Sequence, residues 1–236
     1  MAKKSLLDIV QNILNAMDAD PVNSISDTVE SLQVAEIVRE TFEDLMSQRD
    51  WAFLRTYSQL TGLGDTNNPT TMQMPDGINL IYWIKYNKSD VTYLDPKEFK
   101  DLVDGRNVDN DNVDANGFVT DQMPQYWTSY DDKYITFDSY DSSVENTLTS
   151  VKSYIYGVKV PTFTMNDTFV PDLPEKFFPT LLAESKSTCF INLKQQANAR
   201  EERKAQRGRV MLRNEAWRNN QGKSKYNDLV NYGRKR

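Results

Sequence analysis

Apolar residues recur at helical spacing at both ends of the chain but not in its middle. Near the N-terminus the pattern predicts one helix over residues 5–17 and a second that starts after Asp27 and ends near Asp50. The helical period returns after Pro174 and predicts a closing helix. Each helix has an apolar face that it cannot bury alone, so the terminal segments are expected to pack together.

The middle of the chain is rich in turn residues, β-branched residues and aromatics. The run 78–86 predicts a buried strand, and residues 126–130 and 134–140 predict a hairpin. A further strand is expected within 148–160, and the Asp95-Pro96 cap predicts a short helix.

These elements predict an α+β fold. Its core is an antiparallel helical bundle, made of two N-terminal helices and a long C-terminal helix, with a central β-rich insertion and an extended basic C-terminal arm. The expected parts are residues 1–55 for the N-terminal helices, 56–170 for the β-rich insertion, 171–207 for the closing helix and 208–236 for the arm.

Charge is divided unevenly along the chain. The whole chain has 28 lysines and arginines against 34 acidic residues. Residues 176–236 hold 15 basic against 5 acidic residues, a net charge of +10, which leaves 13 against 29, a net charge of −16, for residues 1–175. Such a chain has an acidic body that repels polyanions and a basic appendage that attracts them.

The composition argues against catalysis and against a membrane protein. The chain has no histidine, which removes the commonest general base and metal ligand. Its one cysteine, Cys189, lies on a predicted amphipathic helix and is expected to be a buried apolar residue. Phosphate-binding and hydrolase motifs are missing, and no apolar run approaches about 18 residues. No enzyme activity, cofactor or bilayer span is expected.

Two groups of acidic residues are candidate chemical sites. Loop 109–117 has partial EF-hand spacing, but Met123 stands where a bidentate glutamate is required, so a flexible acidic loop is expected. The pairs Asp131-Asp132 and Asp138 with Asp141 lie in a predicted hairpin and strand, where aspartate commonly has a structural role.

The basic C-terminal segment has three interpretations. It is a solvated tail, a nucleic-acid-binding arm with interleaved aromatics, or a segment that docks into an acidic groove of another protein. The docking interpretation gives the following candidate contact residues: Arg200, Arg203, Lys204, Arg207, Arg209, Met211, Leu212, Arg213, Trp217 and Arg218.

Several segments, in the order they occur, resemble those of the head-to-tail adaptor proteins of short-tailed bacteriophages, the tail tubular protein A type. Arg49-Asp50-Trp51-Ala52-Phe53 resembles the Arg-x-Trp-x-Phe end of the second helix in that family. Met74-Pro75-Asp76-Gly77, followed by the apolar run 78–86, resembles its next turn and strand. The hairpin 126–140 and the stretch 172–185 resemble its later strands and closing helix.

The resemblance implies a structural virion protein of the phage neck, present in the host cytoplasm during assembly. Members of this family form a twelve-subunit ring that binds the portal protein, receives the tail nozzle protein and lets double-stranded DNA pass without specific binding. The basic segment would then bind the portal. The insertion would face the tail through aromatic residues: Tyr126, Trp127, Tyr130, Tyr134 and Phe137. The alternative is a nucleic-acid-binding module that uses the basic C-terminal arm.

Overall fold

A computed structural model describes residues 3–106 and 112–221, with the backbone alone for residues 217–221. The chain forms two compact units. Unit 1 combines Met1–Phe53 with Pro161–Arg236, and unit 2 is the intervening Leu54–Val160. Residues 161–170, which the sequence places in the β-rich insertion, therefore belong to unit 1.

The described part of the chain contains five α-helices: α1 (Leu6–Ala16), α2 (Val29–Ser47), α3 (Pro96–Asp104), α4 (Phe178–Lys194) and α5 (Ala199–Gln221). Four of them lie in unit 1, where α4 packs against α1, α2 and α5. The fifth, α3, lies in unit 2 and begins at the predicted Asp95-Pro96 cap.

Local side-chain contacts fix the starts of α1 and α2. Ser5 and Asp8 form a capping box at α1, and Thr28 and Ser31 form one at α2, which satisfies amides that would otherwise have no partner. The sequence placed the second box one residue too early. The Asp27 carboxylate instead accepts the amides of the preceding loop, from Asn23 at 2.7 Å and Ser24 at 2.8 Å.

Aromatic contacts join the two sequence segments of unit 1. Trp51 is buried, and its indole N–H donates to the carbonyl of Leu45 at the end of α2. The centre of the Trp51 ring lies 4.9 Å from that of Phe177, which directly precedes α4. The centre of the Phe53 ring lies 5.1 Å from that of Phe177. The end of α2 is thereby fixed to the start of α4.

The extended segment 161–174 completes this closure. The first amides of α1, at Leu6 and Leu7, donate to the carbonyls of Phe169 and Asp167 at 2.7 and 3.2 Å. The Asp167 carboxylate also accepts the amide of Ile25 at 2.8 Å. Because the first amides of a helix have no partner within it, this segment acts as a backbone cap for α1.

Unit 2 is built on an eight-stranded mixed sheet that forms a half-barrel. The strand order is β1-β8-β4-β5-β6-β7-β3-β2, and β5 pairs with β6 in parallel while the other pairs are antiparallel. The strands are β1 (Arg55–Ser58), β2 (Thr61–Gly62), β3 (Thr71–Gln73), β4 (Ile78–Tyr86), β5 (Ser89–Tyr93), β6 (Tyr126–Thr128), β7 (Tyr134–Phe137) and β8 (Ser153–Lys159). One face packs a core that includes Met72, Ile84, Tyr86, Phe137 and Ile155.

The predicted fold class is wrong. The sheet is a principal body of the protein and not a small insertion into a helical bundle, since unit 2 spans Leu54–Val160 and has its own core. Four of its strands, β1, β2, β3 and β5, are short and polar, so the sequence pattern resembled loops. The predicted extended arm is also wrong where the structure describes it, because α5 runs to Gln221. The long closing helix is in fact two, since α4 ends at the left-handed Gln195.

The strand 78–86, the 126–140 hairpin and the short helix after Asp95 are confirmed.

A buried ion pair connects helix α3 and strand β7 of unit 2. The Asp138 side chain is fully buried, accepts the amides of Gln125 and Tyr126, and pairs with Arg106 at 2.7 Å. Arg106 also donates to the Asp138 carbonyl at 2.6 Å, which joins the end of α3 to the end of β7.

We expect Asp138→Asn to lower the free energy of unfolding by about 3 kcal/mol, because it leaves Arg106 without its buried counter-charge. Chemical denaturation followed by tryptophan fluorescence measures this loss. The matched control is Asp90→Asn, since Asp90 is exposed and forms a surface pair with Lys85; its effect should stay below about 0.5 kcal/mol. Equal effects of the two substitutions would contradict the assignment.

Candidate functional site

The inner face of the basic helix α5 is committed to unit 1. Ala205 and Leu212 are buried, and Gly208 lies so close to Thr180 of α4 that an added Cβ would be 2.3 Å from the threonine hydroxyl oxygen. The helix is therefore seated on α4 by a row of small and apolar side chains one or two turns apart.

Ion pairs fix α5 further. The Arg209 guanidinium pairs with Glu184 of α4 and, at 3.3 Å, with Asp44 of α2. Lys176, before α4, pairs with Glu215. Arg209 thus contacts two other helices of unit 1, and its role is structural.

These contacts sort the residues predicted to bind a partner. Leu212 is 4% exposed and belongs to the interior, and Arg209 carries internal ion pairs. Met211 is 74% exposed. The exposed basic residues of the set are Arg200, Arg203, Lys204, Arg207 and Arg213. Trp217 and Arg218 lie on the backbone of α5, and their side chains fall outside the described residues.

A groove of about 750 Å³ lies between α1, α4 and α5. Its lining combines four lysines with two acids: Lys3, Lys4, Lys186, Lys204, Asp8 and Glu201. Burial lowers the pKa of Lys186, and the carboxylate of Glu201 partly opposes this shift. A second groove, of about 620 Å³, separates the start of α4 from α5 and is lined by Pro179, Met211 and Leu212 among others.

Three of the candidate acidic residues, Asp114, Asp131 and Asp138, have structural contacts. Asp131 accepts the amides of Lys133 and Tyr134 in the hairpin turn, and these bonds, that of Tyr134 foremost, lower the pKa of its carboxyl. Asp114 accepts the amides of Asn116 and Phe118 and so shapes its own loop. Residues 107–111 of the EF-hand-like stretch lie outside the described residues. Across the described ranges, no three acidic or sulfur side chains are grouped to hold a metal ion.

Two further titratable groups are buried. The Glu145 carboxylate accepts the hydroxyl of Tyr86 and pairs with Lys152 at 2.9 Å. Burial, followed by the bond to Glu145, raises the pKa of Tyr86. Cys189 is fully buried, as expected, and burial raises the pKa of its thiol to about 12, so little thiolate exists near neutral pH.

The aromatic residues predicted to face the tail are divided between surface and core. Phe137 is fully buried and Trp127 is 7% exposed, so both serve the interior of unit 2. Tyr126 is half-buried. Tyr130 and Tyr134 are exposed at the hairpin end.

A different group of aromatic residues forms an exposed surface on unit 2, here called the aromatic patch: Tyr57, Tyr82, Trp83 and Tyr156. They lie on the side of β1, β8 and β4 that faces away from the core. The ring of Tyr156 is at its centre, 4.7 Å from Tyr57 and 5.5 Å from Trp83. Tyr57 is 68% exposed.

Strand irregularity and cations complete the patch. The register of β4 against β8 shifts between Ile81 and Trp83, so the consecutive residues Tyr82 and Trp83 both reach Tyr156. The Arg55 guanidinium lies 5.1 Å from the centre of the Tyr82 ring, and the Lys85 ammonium lies 5.6 Å from that of Trp83.

One sequence signal indicated the aromatic patch. In the predicted last strand, Ser153, Ile155 and Gly157 alternate on one face, so Tyr154 and Tyr156 must share the other. The contribution of β1 was not visible, because Arg55–Ser58 has no apolar alternation.

No protein-family model matches this sequence, and comparison with curated proteins found no match. No helix within residues 3–106 and 112–221 is long and apolar enough to cross a bilayer.

We expect Gly208→Ala to destabilise unit 1 by about 1–2 kcal/mol, because the added methyl group overlaps Thr180 by more than helix propensity can offset. Thermal or chemical unfolding measures the change. Asn214→Ala, on the exposed side of α5, is the matched control and should have no such cost. Thr180→Ala in the Gly208→Ala background should recover part of the loss, and failure to do so would contradict the close crossing.

Proposed function

We propose that this chain is a structural, ring-forming adaptor of a short-tailed bacteriophage neck, which joins the portal protein to the tail nozzle protein and lines the DNA channel. The observation that carries the proposal is the arrangement of α5. Its inner face is fixed to α4 and α2, while its outer face presents exposed arginines to a partner. A helix held in this way is a rigid, positively charged docking element.

Two of the segments that carry the family resemblance also meet in space. Trp51 and Phe53, from the Arg-x-Trp-x-Phe segment, both contact Phe177, from the stretch that resembles the closing helix of the family. This aromatic contact joins two motifs that are far apart in the sequence, which supports the resemblance. A ring of twelve copies is what the resemblance implies.

The charge of the remaining chain suits a DNA channel. Residues 1–175 carry a net charge of −16. A negative wall repels phosphates and prevents the close contacts that would stop a passing duplex. Asp131 is used in a turn, and Asp138 and Glu145 are used in ion pairs, as suits a structural protein.

The portal-binding element of this proposal is the C-terminal end of the chain. It comprises Arg213, Trp217 and Arg218 on α5, together with the sequence 222–236, which lies outside the described residues. That last sequence holds five basic residues and one acidic residue. Its contact with the portal would be electrostatic and sensitive to salt.

The tail-facing element is the aromatic patch. Its Tyr57 and Tyr82 are exposed and its Trp83 and Tyr156 are half-buried. Tyrosine, tryptophan and arginine are the residue types enriched at the centres of protein interfaces. The patch replaces Trp127 and Phe137, which are buried, as the contact surface for the nozzle.

The first test is removal of residues 222–236. We expect the chain truncated after Gln221 to keep its fold but to lose at least tenfold in portal affinity at about 0.1 M salt. Co-sedimentation with the purified portal measures it. Truncation at Arg207 is unsuitable, because it would remove the structural contacts of Arg209 and Leu212.

One outcome would contradict the portal-binding element, and another would contradict the adaptor itself. Unchanged portal binding by the truncated chain would remove the assigned role of the C-terminal end. Absence of portal binding by the full chain, together with retardation of duplex DNA that weakens steeply with salt, would favour the nucleic-acid-binding module.

The second test addresses the aromatic patch. We expect the Tyr57→Ala/Tyr82→Ala variant to bind the tail nozzle protein at least tenfold more weakly, with portal binding unchanged. Tyr130→Ala is the matched control, since Tyr130 is 59% exposed but lies outside the patch. Biolayer interferometry with immobilised nozzle compares the variants. If Tyr130→Ala weakened nozzle binding more than the patch variant, the hairpin and not the aromatic patch would be the contact surface for the nozzle.

A further inference from the structure

Two helices of unit 1 have outward faces of opposite charge. On α2 the acidic stripe consists of Val29, Leu32, Glu36, Glu40 and Glu43. On α5 the basic stripe consists of Arg200, Arg203, Arg207, Met211 and Asn214. At about 100° per residue, each set lies within roughly 40° of a single line along its helix.

Each stripe also contains exposed apolar side chains. Val29 and Leu32, at the start of α2, are 75% and 45% exposed. Met211, in the second half of α5, is 74% exposed. Each stripe therefore offers an apolar contact beside its charges.

The two stripes match when the helices run antiparallel. The steps along the acidic stripe, taken from its C-terminal end, are three, four, four and three residues, and those along the basic stripe, taken from its N-terminal end, are the same. This single register places opposite one another Glu43 and Arg200, Glu40 and Arg203, Glu36 and Arg207, Leu32 and Met211, and Val29 and Asn214. In this register three ion pairs and an apolar contact would form together.

Two charges at the ends of the stripes are unfavourable for their own helix dipoles. Arg200 lies in the first turn of α5 and Glu43 lies near the end of α2, which are the ends where the helix dipole disfavours those signs. An antiparallel contact brings these two ends together, so each charge then meets its opposite. Within α2, Arg39 pairs with Glu36 and Glu43 and reduces the negative charge without removing it.

We propose that the acidic stripe of one copy packs antiparallel against the basic stripe of a second copy. The contact rests on the proposed function, because a ring requires a head-to-tail interface between two different surfaces of each subunit. Charge complementarity within this chain selects a second copy as the occupant. The proposal moves Arg200, Arg203, Arg207 and Met211 from the portal contact to the contact between copies.

The contact should be weak until a ring closes. One pair of helices of this length buries less surface than the roughly 1,200 Å² of a stable interface. Association of the free chain should therefore depend on concentration and fall with salt. Assembly on a portal would raise the effective concentration of neighbouring copies.

Cysteine cross-linking tests the register. In the Leu32→Cys/Met211→Cys variant, every head-to-tail contact brings two thiols opposite each other, within the 7 Å Cα separation that a disulfide needs. Mild oxidation should give a ladder of covalent oligomers. The matched control, Leu32→Cys/Arg200→Cys, moves one thiol about 16 Å along α5 and should give at least tenfold less. The native Cys189 is buried and takes no part.

Charge exchange gives an independent readout. Glu40→Arg alone and Arg203→Glu alone should each reduce the ladder, when made in the cross-linking background. Glu40→Arg/Arg203→Glu should restore it, because every interface again joins opposite charges. Equal cross-linking of the two cysteine pairs, absence of a ladder at high protein concentration and low salt, or no restoration by the double exchange would each overturn the contact.

The outcome can be separated from that of the adaptor proposal. If covalent oligomers form but the chain does not bind the portal, the contact between copies is supported and the adaptor proposal is contradicted. A different outcome is that Arg203→Glu abolishes portal binding and no ladder forms with or without the portal. The adaptor proposal would then stand, and the basic stripe would be a portal contact and not a contact between copies.

Discussion

The packing of Phe177 against Trp51 and Phe53 is the contact on which the arrangement of unit 1 depends. Unit 1 is assembled from two segments that are separated in sequence by the whole of unit 2, so closing it requires contacts with large sequence separation. The aromatic cluster fixes α2 to α4, and the backbone of 161–174 caps α1. Helix α4 can then serve as the surface on which α5 is seated.

Because α5 packs on α4, its two sides have different roles. Gly208 allows a close approach to Thr180, Leu212 is buried, and Arg209 joins three helices. These contacts fix the rotation of α5 about its own axis, so the remaining arginines must face outward. The same reasoning applies to α2, whose buried side leaves Glu40 and Glu43 exposed and Glu36 partly exposed. Complementary outward faces on one subunit are what head-to-tail assembly requires.

Sequence patterns predicted the elements whose signal is local. The apolar spacing of α1, the Pro96 start of α3 and the strand 78–86 are each marked by their own residues. The sheet was underestimated because strands such as Thr61–Gly62 are defined by their neighbours across the sheet, and not by their own composition. The division of α5 into inner and outer residues, and the inward position of Phe137, depend on packing partners distant in sequence.

The most direct test is an electron cryomicroscopy reconstruction of the full chain assembled on its cognate portal protein. The account predicts a closed ring in which α2 of each copy runs antiparallel to α5 of the next, with Glu40 opposite Arg203, and the C-terminal end directed at the portal. A ring whose neighbouring copies meet through other surfaces would contradict the contact between copies. Absence of any ring on the portal would contradict the adaptor itself.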